Sequence, residues 1–100
     1  MEALKSELAE APGTLMPLVG DVTQPEAVRA AVEQAVGEWG GLDAAIPNAG
    51  LGYFDPLPQG KLEEWHEMVN ININGVLTTL HATLPVLAAN KGHVINIGSL

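Results

Sequence analysis

Apolar positions recur along this chain with two periods, one near 3.6 residues and one of short continuous runs. Leu4 and Leu8 lie four apart among Glu and Lys, which predicts a short helix over residues 2–10 that Ala11-Pro12-Gly13 cuts off. Residues 14–22, TLMPLVGDV, read as a strand, with Pro17 pointing to an edge position. Thr23-Gln24-Pro25-Glu26 then has the form of a capping box, the Thr23 hydroxyl taking the N–H of residue 26 and Glu26 reaching back. Pro25 suits a first helical turn. Val28, Ala31, Val32, Ala35 and Trp39 continue one helical face until Gly40-Gly41 stops it. Residues 42–46, LDAAI, form a short buried strand, and a Gly- and Pro-rich loop fills 47–60. From residue 61 to about 90 the sequence is helical, with Trp65, Met68, Val69, Asn72, Val76, Leu80, Leu84 and Leu87 at spacings of three and four. Its middle, NINING, combines Asn, β-branched Ile and Gly, so a kink or break is expected there. A β-branched strand follows and ends in Gly98-Ser99.

The order is helix, strand, helix, strand, helix, strand. It predicts an α/β domain in which three parallel strands alternate with helices. No repeat or low-complexity linker divides residues 1–100, so a single domain is expected. Net charge is −8, and the only fixed cations are Lys5, Arg29, Lys61 and Lys91. That argues against nucleic acid and against anionic membranes as partners. A small anionic ligand stays open, because backbone N–H groups bind phosphate without lysine. With no cysteine and with His66, His81 and His93 at no metal-ligand spacing, no metal site is expected. No apolar run reads as long enough to span a bilayer, and MEALKSELAE lacks the basic start and apolar core of a signal peptide. A cytoplasmic location is the resulting expectation.

Ligands of open parallel sheets bind at the carboxyl ends of the strands. Three groups fall there: Asp21-Val22, Asn48-Ala49-Gly50 and Gly98-Ser99. Singly, Asp21 could cap a turn, Asn48 could close one and Ser99 could be a solvated hydroxyl. Together they would line one cleft. Asn72 is the fourth candidate, a polar residue on an apolar helix face with Gly75 three residues on. Its amide could bond a freed helix carbonyl or hold a carbonyl or a water, and these readings are compatible. Gly50-Leu51-Gly52 is not a G-x-G-x-x-G motif, and Glu63, Glu64 and Glu67 are explained by the positive end of a helix.

Asp21-Val22-Thr23, Asn48-Ala49-Gly50, Asn72-Ile73-Asn74-Gly75 with Leu84-Pro85, and Gly92-His93-Val94-Ile95-Asn96-Ile97-Gly98-Ser99 form an ordered set over nearly the whole chain. In that set the chain resembles the short-chain dehydrogenase/reductase family of NAD(P)-dependent oxidoreductases on a doubly wound Rossmann fold. The resemblance implies NAD or NADP as cofactor and a small carbonyl/alcohol pair as substrate. It implies that Asp21 and the Val22 backbone hold the adenine. Asn48 would meet the adenosine ribose, with Ala49 and Gly50 allowing close approach. Ser99 would bond the reacting substrate oxygen, and Asn72 would kink its helix and hold a water of the proton relay. It also implies a homo-oligomer through the 61–90 helix, though that apolar stripe would equally serve burial on its own sheet.

Three departures qualify the resemblance. Pro47 stands where the family has a second Asn. The 100 residues contain no Thr-Gly-x-x-x-Gly-x-Gly and no Tyr-x-x-x-Lys; the single tyrosine, Tyr53, lies in another segment. The chain therefore looks like the middle of such an enzyme, an internal fragment expected to be inactive alone; the alternative is a non-catalytic dinucleotide-binding or interaction remnant. In the family, two strands lie between those of residues 14–20 and 42–46, a gap of roughly 10 Å. Either strand 14–20 slides in beside 42–46 or it is left unpaired, and marginal stability or aggregation is expected.

Overall fold

The computed structural model describes residues 2–98. Helix α1 spans Glu2–Glu7 and gives way to turns over residues 8–10; Leu4 and Leu8 are both exposed, so it buries no apolar face. Residues 14–21 carry no regular secondary structure and join no ladder, and Val19 is fully exposed. This corrects the third strand: a strand needs a partner for its N–H and C=O groups, and the described residues offer none beside it. Of the two alternatives, the segment is left unpaired.

Helix α2 spans Pro25–Trp39, with Pro25 in its first turn and Gly40 in the left-handed conformation at its end (φ 84°), where its N–H bonds the Val36 carbonyl at 2.7 Å. The capping box does not form. Thr23 gives both its N–H and its hydroxyl to Asp21 Oδ1, at 2.8 and 2.7 Å. The pairs Ala27-Val28, Ala31-Val32 and Ala35-Val36 are half-buried as the periodicity predicts, but Trp39 is exposed.

Strand β1 (Ala44–Ala45) and strand β2 (His93–Val94) pair in parallel, Ala44 opposite His93 and Ala45 opposite Val94. Between them runs a continuous helical stretch: α3 (Leu62–Val69), a π turn (Asn70–Asn74) and α4 (Gly75–Asn90). The kink expected at NINING is therefore a π turn, in which the Gly75 N–H reaches back five residues to the Asn70 carbonyl. By length and composition alone Leu62–Asn90 is apolar enough to cross a membrane, which corrects the sequence reading. Here it packs on β1 and on α2 instead. Its apolar positions divide: Leu87 is buried and Met68, Val76 and Leu80 are half-buried, while Trp65, Val69 and Leu84 are exposed.

At the far end Lys91 takes a left-handed conformation (φ 53°), and the Gly92 N–H bonds the Leu87 carbonyl at 2.8 Å. Gly92 lies against β1 so closely that a Cβ would sit 2.6 Å from the Asp43 carbonyl oxygen. That approach lets the His93 N–H reach the same oxygen at 2.8 Å and start the ladder. Ala45 and Pro47 are buried while Ile46 between them is exposed, the alternation of a strand covered on one face. Ala45 and Leu87 are the buried hydrophobic residues among those described. The radius of gyration, 15.8 Å, exceeds the roughly 13 Å of a compact domain this long. An apolar sheet face, with Ile46, Ile95 and Ile97 exposed, and the unpaired segment 14–21 stand open to solvent.

Candidate functional site

The ladder ends at Pro47 and Ile97, and the chain beyond both ends borders one cleft of about 520 Å³. Asn48, Ala49 and Gly50 form one wall, Ile97 and Gly98 another, and Asn72 and Val76 of the helical stretch close it. A neighbouring hollow of about 250 Å³ brings Val22 beside Pro47-Asn48-Ala49 and Gly75. Four of the sequence-predicted segments thus meet at the carboxyl edge of the ladder, although the 14–21 segment lacks strand pairing. Ser99 lies outside the described residues; Gly98, which precedes it, borders the cleft.

Val22 is placed by Gly75. A Cβ on Gly75 would lie 2.8 Å from Val22 Cγ2, so only glycine lets the helix come this close. Asp21 is held by Thr23, whose N–H and, second to it, hydroxyl keep the Asp21 carboxyl below its ordinary value of 3.8. Asp21 is itself exposed.

Asn72 faces the turn after Gly50. Its Nδ2 donates to the Leu51 carbonyl at 2.8 Å and its Oδ1 accepts the Leu51 N–H at 2.9 Å. The amide therefore holds a loop, and the reading that it bonds a freed helix carbonyl is corrected. Tyr53 does not border the cleft: its hydroxyl donates to Glu67 Oε2 at 2.6 Å. That bond, then burial and the Glu67 charge, raise the Tyr53 pKa above its ordinary value.

The sequence reading missed Thr23 as the partner of Asp21, Leu51 as the partner of Asn72, and the wall residues Phe54 and Ile97. The Asp-x-Thr spacing was a usable sign, because Asp side chains commonly bond the backbone two residues on. Nothing local announced Leu51, which is 21 residues from Asn72.

A parallel ladder with a long helical crossover, open at its carboxyl edge, fits the Rossmann class. The short chain dehydrogenase family matches residues 1–100. The chain belongs to that family. It is 42% identical over 81 residues to an uncharacterized oxidoreductase of Staphylococcus saprophyticus, a match covering 80% of this chain and 33% of that protein. It is 37% identical over 101 residues to the serine 3-dehydrogenase of Rhizobium radiobacter, covering 100% of this chain and 39% of that one. Among solved structures, an alcohol dehydrogenase from the archaeon Thermococcus sibiricus complexed with 5-hydroxy-NADP superimposes with a TM-score of 0.86 at 33% identity over 95% of this chain and 41% of that one. A metagenomic short-chain oxidoreductase in complex with NADP gives 0.88 at 32% identity over 99% of this chain and 46% of that one. The chain thus spans about a third to under half the length of these short-chain dehydrogenases.

Proposed function

We propose that this chain supplies the adenine side and the central cleft of an NAD(P)-dependent oxidoreductase that interconverts an alcohol and a carbonyl. The observation that carries this reading is the meeting of Val22, Asn48-Ala49-Gly50 and Asn72 at the carboxyl edge of the ladder. The residues fit a dinucleotide: an exposed carboxylate at Asp21, and backbone with minimal side chains at 49 and 50. Asp21 and the Val22 backbone would hold the adenine, and Asn48 the adenosine ribose. Ala49 and Gly50 would leave room for close approach. When bound, the cofactor supplies or accepts the hydride.

On the substrate side, Ser99 would donate a hydrogen bond to the reacting oxygen. Asn72 would hold a water of the proton relay from its π turn, using the second amide hydrogen or lone pair that its two bonds to Leu51 leave over. Tyr53 is no candidate for the acid, since its hydroxyl is engaged with Glu67 away from the cleft. The glycine-rich phosphate loop and the Tyr-x-x-x-Lys pair are not among these 100 residues. The isolated chain is therefore expected to bind weakly and not to turn over. The exposed stripe of Trp65, Val69 and Leu84 would serve a homo-oligomer contact.

Gly50→Ala tests the cofactor reading. A Cβ there would lie 3.5 Å from Asn72 Oδ1, an ordinary contact, so the variant keeps the fold. NADPH binding, followed by its fluorescence, should weaken in Gly50→Ala. Equal binding by the two proteins would refute this placement of the cofactor and favour the interaction remnant.

A further inference from the structure

The segment after Gly50 is tied to the helix at two backbone positions, Leu51 and Tyr53. Leu51 is held by Asn72 through two bonds of 2.9 and 2.8 Å. The Tyr53 N–H points to Met68 Sδ at 3.5 Å. Loop positions 51 and 53 thus meet helix positions 72 and 68. The steps match physically: two extended residues advance about 6.6 Å, and four helical residues rise about 6 Å. Beyond them Gly60 lies under the Trp65 indole, where a Cβ would come within 2.5 Å of the ring.

Gly52 and Phe54 border the cleft, and the Phe54 ring, 97% exposed, lies over Gly52, where a Cβ would meet it at 2.9 Å. The one side-chain bond from the middle of the segment to the helix is that of the Tyr53 hydroxyl to Glu67, at 2.6 Å.

We propose that residues 51–55 are a strap locked in register on the helix, and that Tyr53, through Glu67, is a positioning residue that holds Phe54 as an apolar wall of the substrate cleft. With Leu51, Val76 and Ile97 on the same cleft, this wall selects carbonyl or alcohol substrates bearing an apolar, flat substituent. The substrate part deepens the oxidoreductase reading and rests on it; the strap itself does not.

The test uses Tyr53→Phe, Glu67→Gln, their double variant and Phe54→Ala. Amide hydrogen exchange reads the strap, and ultraviolet titration of tyrosinate reads Tyr53 alone, since it is the single tyrosine. Tyr53→Phe should speed exchange at Leu51 and Tyr53's position roughly three- to tenfold and leave α2 unchanged. Glu67→Gln should lower the tyrosinate midpoint toward that of the urea-unfolded chain. The double variant should be no worse than Tyr53→Phe, as expected for two groups in one bond. Acetophenone binding, followed by NMR, should weaken in Tyr53→Phe as it does in Phe54→Ala, while acetone binding stays unchanged. Unchanged exchange at residue 51, or an equal rise in α2, would overturn the strap. Acetophenone binding indifferent to Phe54→Ala would overturn the wall. A chain that binds no NADPH yet meets the exchange and titration results would refute the dinucleotide reading and leave the strap standing.

Discussion

The Ile97 N–H donates to the Pro47 carbonyl at 3.3 Å, and Pro47 has no N–H to give back. The ladder rises in steps of two, His93 to Asp43, Ile95 to Ala45 and Ile97 to Pro47. In a parallel ladder residue 47 would also donate to the carbonyl of residue 95. Proline deletes that bond where the cleft begins, which accounts for the short regular pairing. In Pro47→Ala the new amide should donate to the Ile95 carbonyl and exchange slowly. The bond gained, about 1 kcal/mol, is opposed by the lost rigidity of proline, 0.4 to about 1 kcal/mol. Stability should therefore change little, and exchange at residue 47 is the informative readout.

Gly75 is set by the side chain it meets. Alanine there is a better helix former by about 1 kcal/mol. Its methyl would nevertheless lie 2.8 Å from Val22 Cγ2, and overpacking of that kind costs about 1–3 kcal/mol. Gly75→Ala should destabilise the chain in urea unfolding, and adding Val22→Ala should restore most of the loss.

Asp21 titrates below its ordinary value because the folded chain holds its carboxylate through Thr23. The folded pKa is lower than the unfolded one, so this contribution is complete above the ordinary carboxylate range. It is lost as pH falls through the folded pKa. Thr23→Val removes the hydroxyl and keeps the N–H, which is the larger cause. The Asp21 midpoint, followed by NMR, should rise only part of the way to 3.8.

Asn72 needs both ends of its amide. Asn72→Asp keeps the shape and the acceptor but loses the donor, placing a carboxylate against the Leu51 carbonyl. It should release the loop at least as much as Asn72→Ala. Each should cost about 1 kcal/mol for these exposed bonds, read as faster exchange at Leu51 with α2 unaffected.

What was legible in the sequence was the local part. The 3.6-residue period located α2 and the long helical stretch, and the composition of NINING located the irregular turn within it. The π geometry was not legible, nor was Asn72's hold on Leu51, because both depend on a segment brought near by folding. Residues 14–22 carried a sound strand pattern, yet a strand exists only as a pair, and pattern does not supply a neighbour. Thr23 met two competing demands, a helix N-terminus ahead and an Asp carboxylate behind, and the carboxylate took the hydroxyl. The clustering of Val22, Asn48-Ala49-Gly50 and Asn72 was foreseeable because a parallel sheet gathers its strand ends on one edge. The strap was not, since its rungs pair loop positions with helix positions in no local motif.

The central claim is that the carboxyl edge of the ladder receives a nicotinamide dinucleotide, adenine side at residues 21 and 22. NMR mapping of the chain against NADPH at about millimolar concentration tests it most directly. The account predicts shifts concentrated at Asp21, Val22, Asn48, Ala49 and Gly50, weakened in Asp21→Ala, with α1 unchanged. Shifts absent from those residues, or centred on the exposed face of the long helix, would contradict it.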